Sequence, residues 1–281
     1  MRIARFTTSQ GNGRSEPLFG IVTGDLDEYG QPDPDAQIVA LAGDPIYSGI
    51  NPLDQAHRLD EVRLLAPVLP RSKVVAVARN YAAHAAEFGN EVPEEPLFFL
   101  KPNTAVIGPN DTILRPASSE RLDFEGELAL VIGRICRDVP NDPAEVAKVI
   151  YGVTVANDAT ARDLQRKSGH FTAAKGFDTS CPLGPWITLL EEGGDVDLAA
   201  IKAGLRVQTF RNGDVAQDGS TAQMIHDVPA LVSFVSSLMT LLPGDVILTG
   251  TPEGVSSMEP GDEIEIFIEG IGALTNKVGT R

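Results

Sequence analysis

The sequence predicts a strand-rich α+β protein with a small N-terminal α/β lobe. Short apolar runs of strand composition, such as KVVAVA, PLFFLK and DVILTGTPEG, outnumber the helical segments. The dipeptide Asn212-Gly213 lies between two strand-like runs, which is a strong hairpin signal. Strands and helices do not alternate regularly along the chain, so a doubly wound parallel sheet is not expected.

The first seventy residues differ in texture from the rest of the chain. MRIARF and PLFGIVTG have the composition of short strands, and the loop at 25–35 is acidic and rich in turn residues. LDEVRLLAPVLP closes this segment with two prolines, Pro67 and Pro70. We therefore predict a small N-terminal lobe at residues 1–70 and a larger domain at residues 71–281.

The segment from 73 to 158 contains the clearest strand and helix signals. KVVAVA and PLFFLK are predicted strands, and NYAAHAAEFG between them has helical composition that ends at Gly89, a suitable C-terminal cap. LDFEGELALVIG is predicted to form one long strand that stops at Gly133. PAEVAKVI is predicted as a helix that begins with Pro143, and YGVTVAND as the strand that follows it.

The C-terminal part of the chain continues the mixture of strands and helices. A helix is expected to begin near Ala159, and Asn157 and Asp158 are candidates for its cap. RVQTFRNGDVAQDG is a predicted hairpin, and TAQMIHDVPALVSFVSSLMTL is a predicted helix. DVILTGTPEG and DEIEIFIEG are the last predicted strands.

Charge and composition argue against several classes of partner. Lys and Arg number 23 against 39 Asp and Glu, a net charge of −16, which argues against duplex nucleic acid and anionic membrane surfaces. The longest apolar run, 228–242, is shorter than the roughly 20 residues of a membrane span, and the N-terminus lacks the apolar core of a signal peptide. Cys136 and Cys181 suit neither a disulfide scaffold nor a zinc ribbon, so we expect a cytoplasmic protein with reduced thiols.

The sequence lacks the motifs of three large enzyme classes. It has no G-x-G-x-x-G after a strand, no G-x-x-x-x-G-K-[ST] and no G-x-S-x-G. We therefore expect neither a dinucleotide enzyme, nor a P-loop NTPase, nor a serine hydrolase with a nucleophile elbow.

Carboxylates in LDFEGELALVIG predict a site for a divalent metal. Asp123, Glu125 and Glu127 are two residues apart, so on a strand they share one face at a repeat of ~7 Å. A divalent cation would offset their repulsion, and oxygen ligands without Cys or His favour Mg²⁺, Mn²⁺ or Ca²⁺ over zinc. Asp158, at the end of another predicted strand, is a candidate further ligand. The alternative is a solvated acidic face, with Asp158 serving as a helix cap.

His84 and Glu87 are candidates for a general base. At i and i+3 on a helix they share a face, and a carboxylate beside an imidazole can orient it to deprotonate water. An ordinary surface ion pair is the alternative. Lys175, in the stretch TAAKGFDTSCPLGPW, and Lys101 are candidates for holding a carboxylate or stabilising an enolate, with solvated loop lysines as the alternative.

Six blocks of the chain, in order, resemble the fumarylacetoacetate hydrolase (FAH) family. They are VAVARNYAAHAAEFG, PLFFLKPNTAVIGPNDTI, LDFEGELALVIG, YGVTVANDATARDLQ, AAKGFDTSCPLGPW and GSTAQMIHDVPALVSFVSSLMTLLPGDVILTGTPEGV. The resemblance runs from residue 74 to about 278, and the first seventy residues fit the variable lobe of many bacterial members. It implies an FAH-type catalytic domain, a twisted roll of mixed β-strands, that forms a homodimer or a higher oligomer. One departure is Ala78, where many members have glycine.

The resemblance also implies roles for individual residues. The implied ligands of Mg²⁺ or Mn²⁺, at a site that Ca²⁺ can also occupy, are Glu125, Glu127 and Asp158. His84 and Glu87 would activate a water molecule, and Lys175 would bind the substrate near the metal. The other implied substrate contacts are Arg79, Tyr81, Lys101, Arg162, Gln165 and Thr251.

The resemblance implies an enzyme that acts on a small 2-oxo dicarboxylic acid or an acylpyruvate. An acylpyruvate would be hydrolysed at a C–C bond, with pyruvate leaving as its enolate. The pair His84 and Glu87 favours this hydrolase, in the catabolism of aromatic compounds. The alternatives are a 2-hydroxyhepta-2,4-diene-1,7-dioate isomerase, an oxaloacetate decarboxylase, or a protein that binds a metabolite without turnover.

Overall fold

Strands dominate the fold, and they divide among three sheets. The computed structural model describes residues 1–8, 16–193 and 196–281. Within this part of the chain, twelve strands belong to the largest sheet, five to a second sheet and three to a third. The strands in chain order are β1 (Arg2–Thr7), β2 (Leu18–Val22), β3 (Gln37–Leu41), β4 (Pro52–Arg58), β5 (Arg63–Leu65), β6 (Val74–Ala78), β7 (Leu97–Lys101), β8 (Val106–Ile107), β9 (Thr112–Arg115), β10 (Leu122–Asp123), β11 (Gly126–Ile132), β12 (Ile150–Asn157), β13 (Thr160–Ala161), β14 (Cys181–Leu189), β15 (Arg206–Arg211), β16 (Asp214–Ser220), β17 (Val246–Leu248), β18 (Ser257–Met258), β19 (Glu263–Ile268) and β20 (Gly272–Thr280).

The helices are short and connect the strands. The described α-helices are α1 (Pro45–Ser48), α2 (Ala82–Glu87), α3 (Pro143–Ala147), α4 (Arg162–Ser168), α5 (Phe171–Lys175), α6 (Leu198–Gly204) and α7 (Val228–Leu238). None of the helices in the described residues is long and apolar enough to cross a bilayer.

The largest sheet runs through both parts of the chain. Its strand order is β4-β3-β2-β1-β14-β12-β11-β17-β6-β7, with β5 also paired to β1 and β8 to β14. Strands β1 to β5 form the small N-terminal domain, and the antiparallel pair β1–β14 joins it to the rest. The second sheet has the order β16-β15-β19-β20-β9, and the third has the order β13-β10-β18. This strand-rich mixed architecture confirms the predicted fold class.

Strand β11 is central to the packing, and all seven of its residues are buried. Leu128 and Leu130 join the main apolar core, which includes side chains of β15, β19, β20 and α7. Ala129 and Val131 face the opposite way, into a second core with side chains of β6 and β17. Because both faces are covered, the strand is wholly apolar after Glu127, as expected for a strand buried on two sides.

The strand predicted over LDFEGELALVIG is interrupted, so the prediction of one continuous strand was wrong. β10 ends at Asp123 and β11 begins at Gly126. At the break, Asp158 N donates to Glu125 O at 2.9 Å, and Glu125 N donates to Asn157 Oδ1 at 3.0 Å. The chain passes here from the third sheet to the largest one. Alternation in a sequence does not reveal where a strand changes its pairing partner.

The helix expected near Ala159 begins later than predicted. Thr160–Ala161 pair with β10 as β13, and α4 starts at Arg162 without a side-chain cap. Neither Asn157 nor Asp158 caps this helix, because the short strand β13 separates them from it. The pairing that forms β13 joins residues far apart in the sequence, and local propensity does not encode it.

Local signals elsewhere predicted some elements correctly and others not. The hairpin is confirmed, since Asn212 and Gly213 have φ values of 52° and 86°, as a type I′ turn requires. Lys175 is the last residue of α5, with Gly176 as the C-cap, and so it does not lie in a loop. The helix predicted over TAQMIHDVPALVSFVSSLMTL is a single 3₁₀ turn at Thr221–Gln223 followed by α7.

Candidate active site

A cavity of about 630 Å³ opens where the ends of β6, α2, α4 and α5 meet the break between β10 and β11. Most of its polar lining was anticipated from the sequence. Nine of the twelve predicted site residues line it, namely Arg79, His84, Glu87, Glu125, Glu127, Arg162, Gln165, Lys175 and Thr251.

Three buried carboxylates meet beside this cavity. Glu125, Glu127 and Asp158 each offer an oxygen, and these oxygens all lie within 4.8 Å of one another. The two glutamates flank Gly126, whose N–H donates to Gln217 Oε1 at 3.0 Å and so fixes the start of β11. Asp158 directly follows β12, the antiparallel neighbour of β11. We call these three carboxylates the triad.

Two members of the triad have pKa values shifted in opposite directions. Burial and the nearby charges of Asp158 and Glu125 raise the pKa of Glu127 well above its usual range. Burial also acts to raise the pKa of Glu125, but the cations Lys175 and Arg162 outweigh it and hold that pKa below its usual range. One carboxyl group of the triad therefore retains a proton readily, while its neighbour stays ionised.

Two cations face the triad from the cavity side. Lys175 Nζ donates to Glu125 Oε2 and to Asp158 Oδ2, both at 2.6 Å. Arg162 donates from Nη2 to Glu125 and from Nε to Asp123 Oδ2 at 2.9 Å. Burial acts to lower the pKa of Lys175, but the two carboxylates outweigh it and raise that pKa, so the ammonium group stays charged.

Two of the predicted substrate contacts lie away from the cavity lining. Lys101 is fully buried, and its ammonium donates to Asp158 and to Ser180 O, the latter at 2.8 Å. Tyr81 is 1% exposed and forms an isolated β-bridge with Met224. In this arrangement Lys101 holds a carboxylate of the triad. Contact of either residue with a substrate stays a prediction.

The triad fits a hard divalent cation. Three carboxylate oxygens this close together match the ligands that Mg²⁺, Mn²⁺ and Ca²⁺ prefer. Glu127 Oε2 accepts the Gly250 N–H at 2.7 Å, an outer contact of the kind that orients a metal ligand. The raised pKa of Glu127 also indicates that this carboxylate is incompletely compensated by the nearby cations, and a bound metal ion would supply charge in place of a proton.

His84 and Glu87 lie on α2 and face the same cavity. His84 Nδ1 is 3.5 Å from Glu87 Oε2, and it has no hydrogen-bond partner among the described residues. Burial, reinforced by the charge of Lys175, lowers the pKa of His84, which favours the neutral, proton-accepting imidazole. The ring packs edge-on against Phe88 at 5.2 Å, and Glu87 Oε1 accepts the Gly254 N–H at 3.3 Å. The bond to Gly254 joins α2 to the turn whose Thr251 also lines the cavity.

Several cavity side chains were not singled out from the sequence, among them Phe88, Asn90, Arg121 and Arg166. Arg166 follows Arg162 by four residues, so helical spacing alone could have indicated it. Arg121 had no comparable signal. It reaches the cavity next to Asp123, whose Oδ1 accepts from Arg121 Nε at 2.8 Å. Asp123 thus pairs with two arginines and is not part of the triad.

Comparison with known proteins gives matches over nearly the whole chain. The family described as fumarylacetoacetate (FAA) hydrolase C-terminal matches residues 73–279, and the family described as Rv2993c-like, N-terminal matches residues 1–67. Protein Rv2993c of Mycobacterium tuberculosis is 47% identical over 279 residues, which cover 99% of this chain and 98% of the relative. Oxaloacetate tautomerase YisK of Bacillus subtilis is 37% identical over 234 residues, which cover 79% of this chain and 75% of the relative.

Solved structures share the fold. The 5-carboxymethyl-2-hydroxymuconate delta-isomerase from Mycobacterium smegmatis matches with a TM-score of 0.84 and 46% identity, over 100% of both chains. Fumarylpyruvate hydrolase from Pseudomonas aeruginosa, solved in complex with Mn²⁺ and pyruvate, matches with a TM-score of 0.68 and 30% identity. That match covers 82% of this chain and 93% of the hydrolase chain. The chain is thus similar to proteins named as an isomerase, a tautomerase and a hydrolase.

Proposed function

This chain belongs to the fumarylacetoacetate hydrolase family, and from that premise we propose that it is a divalent-metal-dependent hydrolase that cleaves a C–C bond of acylpyruvate-type 2,4-dioxo acids. The observation that carries the proposal is the position of His84 and Glu87, which face the same cavity as the triad. A proton acceptor next to a metal-binding carboxylate cluster is the arrangement that water-dependent cleavage requires.

The 2-oxo acid end of the substrate is proposed to bind at the triad. The proposed ligands of Mg²⁺ or Mn²⁺ are Glu125, Glu127 and Asp158. The Mn²⁺ bound to the related fumarylpyruvate hydrolase supports the choice of metal. A bound cation supplies Lewis-acid stabilisation of the 2-oxo oxygen. Lys175 adds positive charge on the same side. Thr251 Oγ1 accepts from Gln217 Nε2 at 2.9 Å, which leaves its own hydrogen free to donate to the substrate carboxylate.

In the proposed hydrolysis, His84 takes a proton from water while the water oxygen attacks the C4 carbonyl carbon. Because Nδ1 faces Glu87, Nε2 is the nitrogen left to accept this proton. The C3–C4 bond then breaks, and its electron pair passes to C3, so that pyruvate leaves as its enolate and the acyl part leaves as a carboxylic acid. Glu87 stabilises the imidazolium, which finally returns the proton to C3.

Interconversion of enol and oxo forms is the second candidate function. The relative named oxaloacetate tautomerase, at 37% identity, and the structural neighbour named as an isomerase favour it. In this reaction His84 would move a proton between carbon and oxygen without consuming water. Decarboxylation of oxaloacetate would likewise use the triad without an attacking water.

Product analysis by proton NMR separates these reactions. The Mg²⁺-loaded protein is incubated in parallel with acetylpyruvate, fumarylpyruvate and oxaloacetate. Hydrolysis releases pyruvate together with acetate or fumarate. Interconversion changes the rate at which the enol and oxo forms of oxaloacetate equilibrate, and decarboxylation converts oxaloacetate to pyruvate. If neither acetate nor fumarate forms, the hydrolase is wrong.

Matched variants assign the chemistry to the cavity. His84→Gln removes the proton acceptor at similar size and is expected to lower the kcat of hydrolysis by about 10²–10⁴-fold. His57→Gln is the control, since His57 packs on Phe6 in the N-terminal domain. Glu125→Ala should abolish turnover of all three substrates. Hydrolysis at the wild-type rate by His84→Gln would eliminate His84 as the base.

We propose that residues 1–70 and 71–281 form the lobe and the catalytic domain of each subunit in a cytoplasmic homodimer. Multi-angle light scattering measures the mass in solution, and the mass of a single 29.9 kDa chain would contradict the dimer.

A further inference from the structure

The cavity contains more cationic groups than carboxylates. Its cationic lining residues are Arg79, Arg121, Arg162, Arg166 and Lys175. Its acidic lining residues are Glu87, Glu125 and Glu127. The whole chain has a net charge of −16, so the cavity lining differs in sign from the rest of the protein. A local excess of cationic groups favours anionic ligands.

Three of these cations are already paired with protein carboxylates. Arg162 and Lys175 donate to Glu125, as described above. Arg121 donates from Nε and Nη2 to the two oxygens of Asp123, at 2.8 Å and 3.2 Å. Their charge is therefore largely compensated within the protein.

Arg79 and Arg166 are the cations of the lining that remain uncompensated. Within the described residues, neither guanidinium has an ion pair or a hydrogen bond. A guanidinium group binds a planar carboxylate through two parallel N–H bonds, which a single ammonium group cannot do. Two guanidinium groups that line one cavity without a protein partner are therefore suited to a second carboxylate of a ligand.

The backbone of Arg79 is held in a rarely adopted conformation. Its φ of 58° lies in the left-handed region, which non-glycine residues seldom enter without a constraint from their surroundings. The neighbouring Asn80 supplies that constraint, since its Nδ2 donates to Thr249 O at 2.8 Å and its Oδ1 accepts the His226 N–H at 2.8 Å. These bonds fix the chain immediately after Arg79, which lines the cavity.

Arg166 lies on the same face of α4 as Arg162, one turn along the helix. Four residues correspond to about 6 Å along a helix axis. Arg162 contacts Glu125 of the triad, so a ligand group that reaches Arg166 lies roughly one helical turn away from the group bound at the triad. A substrate with anionic groups at both ends spans such a distance.

We propose that Arg79 and Arg166 form a second anion site, which binds a carboxylate at the end of the substrate remote from its 2-oxo acid group. The preferred substrate is then a 2-oxo dicarboxylic acid, and an acylpyruvate with an uncharged acyl group is a poorer one. This inference rests on the proposed function, because it requires the 2-oxo acid group to bind at the triad.

A matched pair of ligands tests the second site by binding alone. 2-Oxoglutarate and 2-oxopentanoate share the 2-oxo acid group and the five-carbon chain, and they differ only in a terminal carboxylate against a methyl group. Isothermal titration calorimetry of the Mg²⁺-loaded protein should show 2-oxoglutarate binding at least ~10-fold more tightly, the effect of a charge-assisted hydrogen bond. The difference should shrink as salt is added.

Variants assign that preference to the two arginines. Arg79→Gln and Arg166→Gln should each reduce the preference, and the double variant should bind both ligands about equally. Arg166→Lys should keep part of the preference, because the charge remains but the planar fork is lost. Arg137→Gln is the control, since Arg137 pairs with Asp138 at the surface. Thermal melting of each variant verifies that it is folded.

The outcomes separate the second site from the proposed function. Equal binding of the two ligands by the wild-type protein, or a preference that survives in the double variant, overturns the second site and leaves the proposed function standing. Failure of both ligands to bind the Mg²⁺-loaded protein overturns the 2-oxo acid site itself, and the second site with it.

Discussion

At Glu127, burial and nearby like charges act in the same direction. It is 1% exposed, and burial, with Asp158 and Glu125 close by, raises its pKa well above the usual range. Lys175 and Arg162 compensate the neighbouring Glu125, whereas Glu127 accepts its hydrogen bond from the Gly250 N–H. A proton on Glu127 is therefore the group that a metal ion must displace.

Replacing Glu127 by glutamine tests the triad as a metal site. The amide keeps the shape but removes an anionic ligand, so Glu127→Gln should fold and yet lose its response to Mg²⁺. In the wild type, Mg²⁺ at about a hundredfold excess over its Kd should add about 2.7 kcal/mol to the free energy of unfolding, or roughly 5–10 °C in Tm. Scanning fluorimetry measures this shift. Glu145→Gln, on the surface of α3, should keep it. An equal shift in Glu127→Gln would refute the site.

Mg²⁺ binding should also depend on pH. The pKa of Glu127 is higher in the folded state than in the unfolded state. At a pH between these two pKa values, the folded metal-free protein therefore keeps a proton on Glu127 that the unfolded chain has released. The metal-free protein therefore loses stability as pH rises through the raised pKa, while its Mg²⁺ affinity increases. Calorimetry in two buffers of different ionisation enthalpy should detect protons released by the wild type on binding. Little or no release at any pH would contradict the assignment.

Asp245 forms a buried ion pair away from the cavity, and its replacement measures how much that pair contributes to stability. This residue is fully buried, and it accepts from Lys73 Nζ at 2.6 Å and from the Leu242 N–H at 2.9 Å. Asp245→Ala removes the ion-pair partner of Lys73 and the acceptor of the Leu242 N–H, and it should lower the free energy of unfolding by about 3–5 kcal/mol. Asp218→Ala breaks the exposed pair with Arg206 and should cost no more than about 1 kcal/mol. Urea unfolding measures the free energy of unfolding of both variants. Equal losses of stability would contradict a larger contribution from the buried pair.

At the scale of elements, the start of β11 controls where two triad carboxylates point. Gly126 lies between Glu125 and Glu127, and its N–H is bound by Gln217, which in turn accepts from Thr209 at 2.7 Å. A Cβ added at Gly126 would lie 2.4 Å from Thr209 Oγ1. The largest sheet and the second sheet therefore meet at this glycine with no space for a side chain.

Gly126→Ala should therefore disturb both the packing and the site. Overpacking should lower the free energy of unfolding by about 1–3 kcal/mol, and the displaced start of β11 should weaken the Mg²⁺-induced rise in Tm. Gly213→Ala is a control of similar cost, since its φ of 86° disfavours alanine although no atom lies within 4 Å of the added Cβ. The control should keep its full Mg²⁺ response. Loss of the response in both variants would show that lowered stability alone accounts for it.

At the scale of the whole molecule, the N-terminal domain shares its core with the rest of the chain. Trp186, on β14, is 1% exposed and packs in one cluster with Phe6 and Ile38 of the N-terminal strands. Its Nε1 donates to Ile271 O at 2.7 Å. The single tryptophan of the sequence thus lies where the two parts of the chain meet.

This shared core predicts one cooperative unfolding transition. Tryptophan fluorescence reports on the junction at Trp186, and far-UV circular dichroism reports on all strands and helices. In urea the two signals should change with the same midpoint, as expected for a single cooperative unit. A fluorescence midpoint at clearly lower urea would mean that the N-terminal domain separates before the remainder unfolds.

The sequence alone determined those features that depend on neighbours a few residues apart. The spacing of Glu125 and Glu127 and the i, i+3 pair His84 and Glu87 singled out side chains that the structure brings to one cavity. The strand-rich fold class and the Asn212 hairpin also followed from composition and turn chemistry. The helical repeat that pairs His84 with Glu87 and the turn chemistry of Asn212 are both visible without the fold.

Only the tertiary structure decided the features that join distant segments. The break after Asp123 arises because β10 pairs with β13 and β18, while β11 pairs with β12 and β17. Lys101 holds the far side of Asp158, and Arg79 shares a cavity with Arg166 although 87 positions separate them. These contacts depend on how sheets and helices pack, and no local period in the sequence encodes that packing.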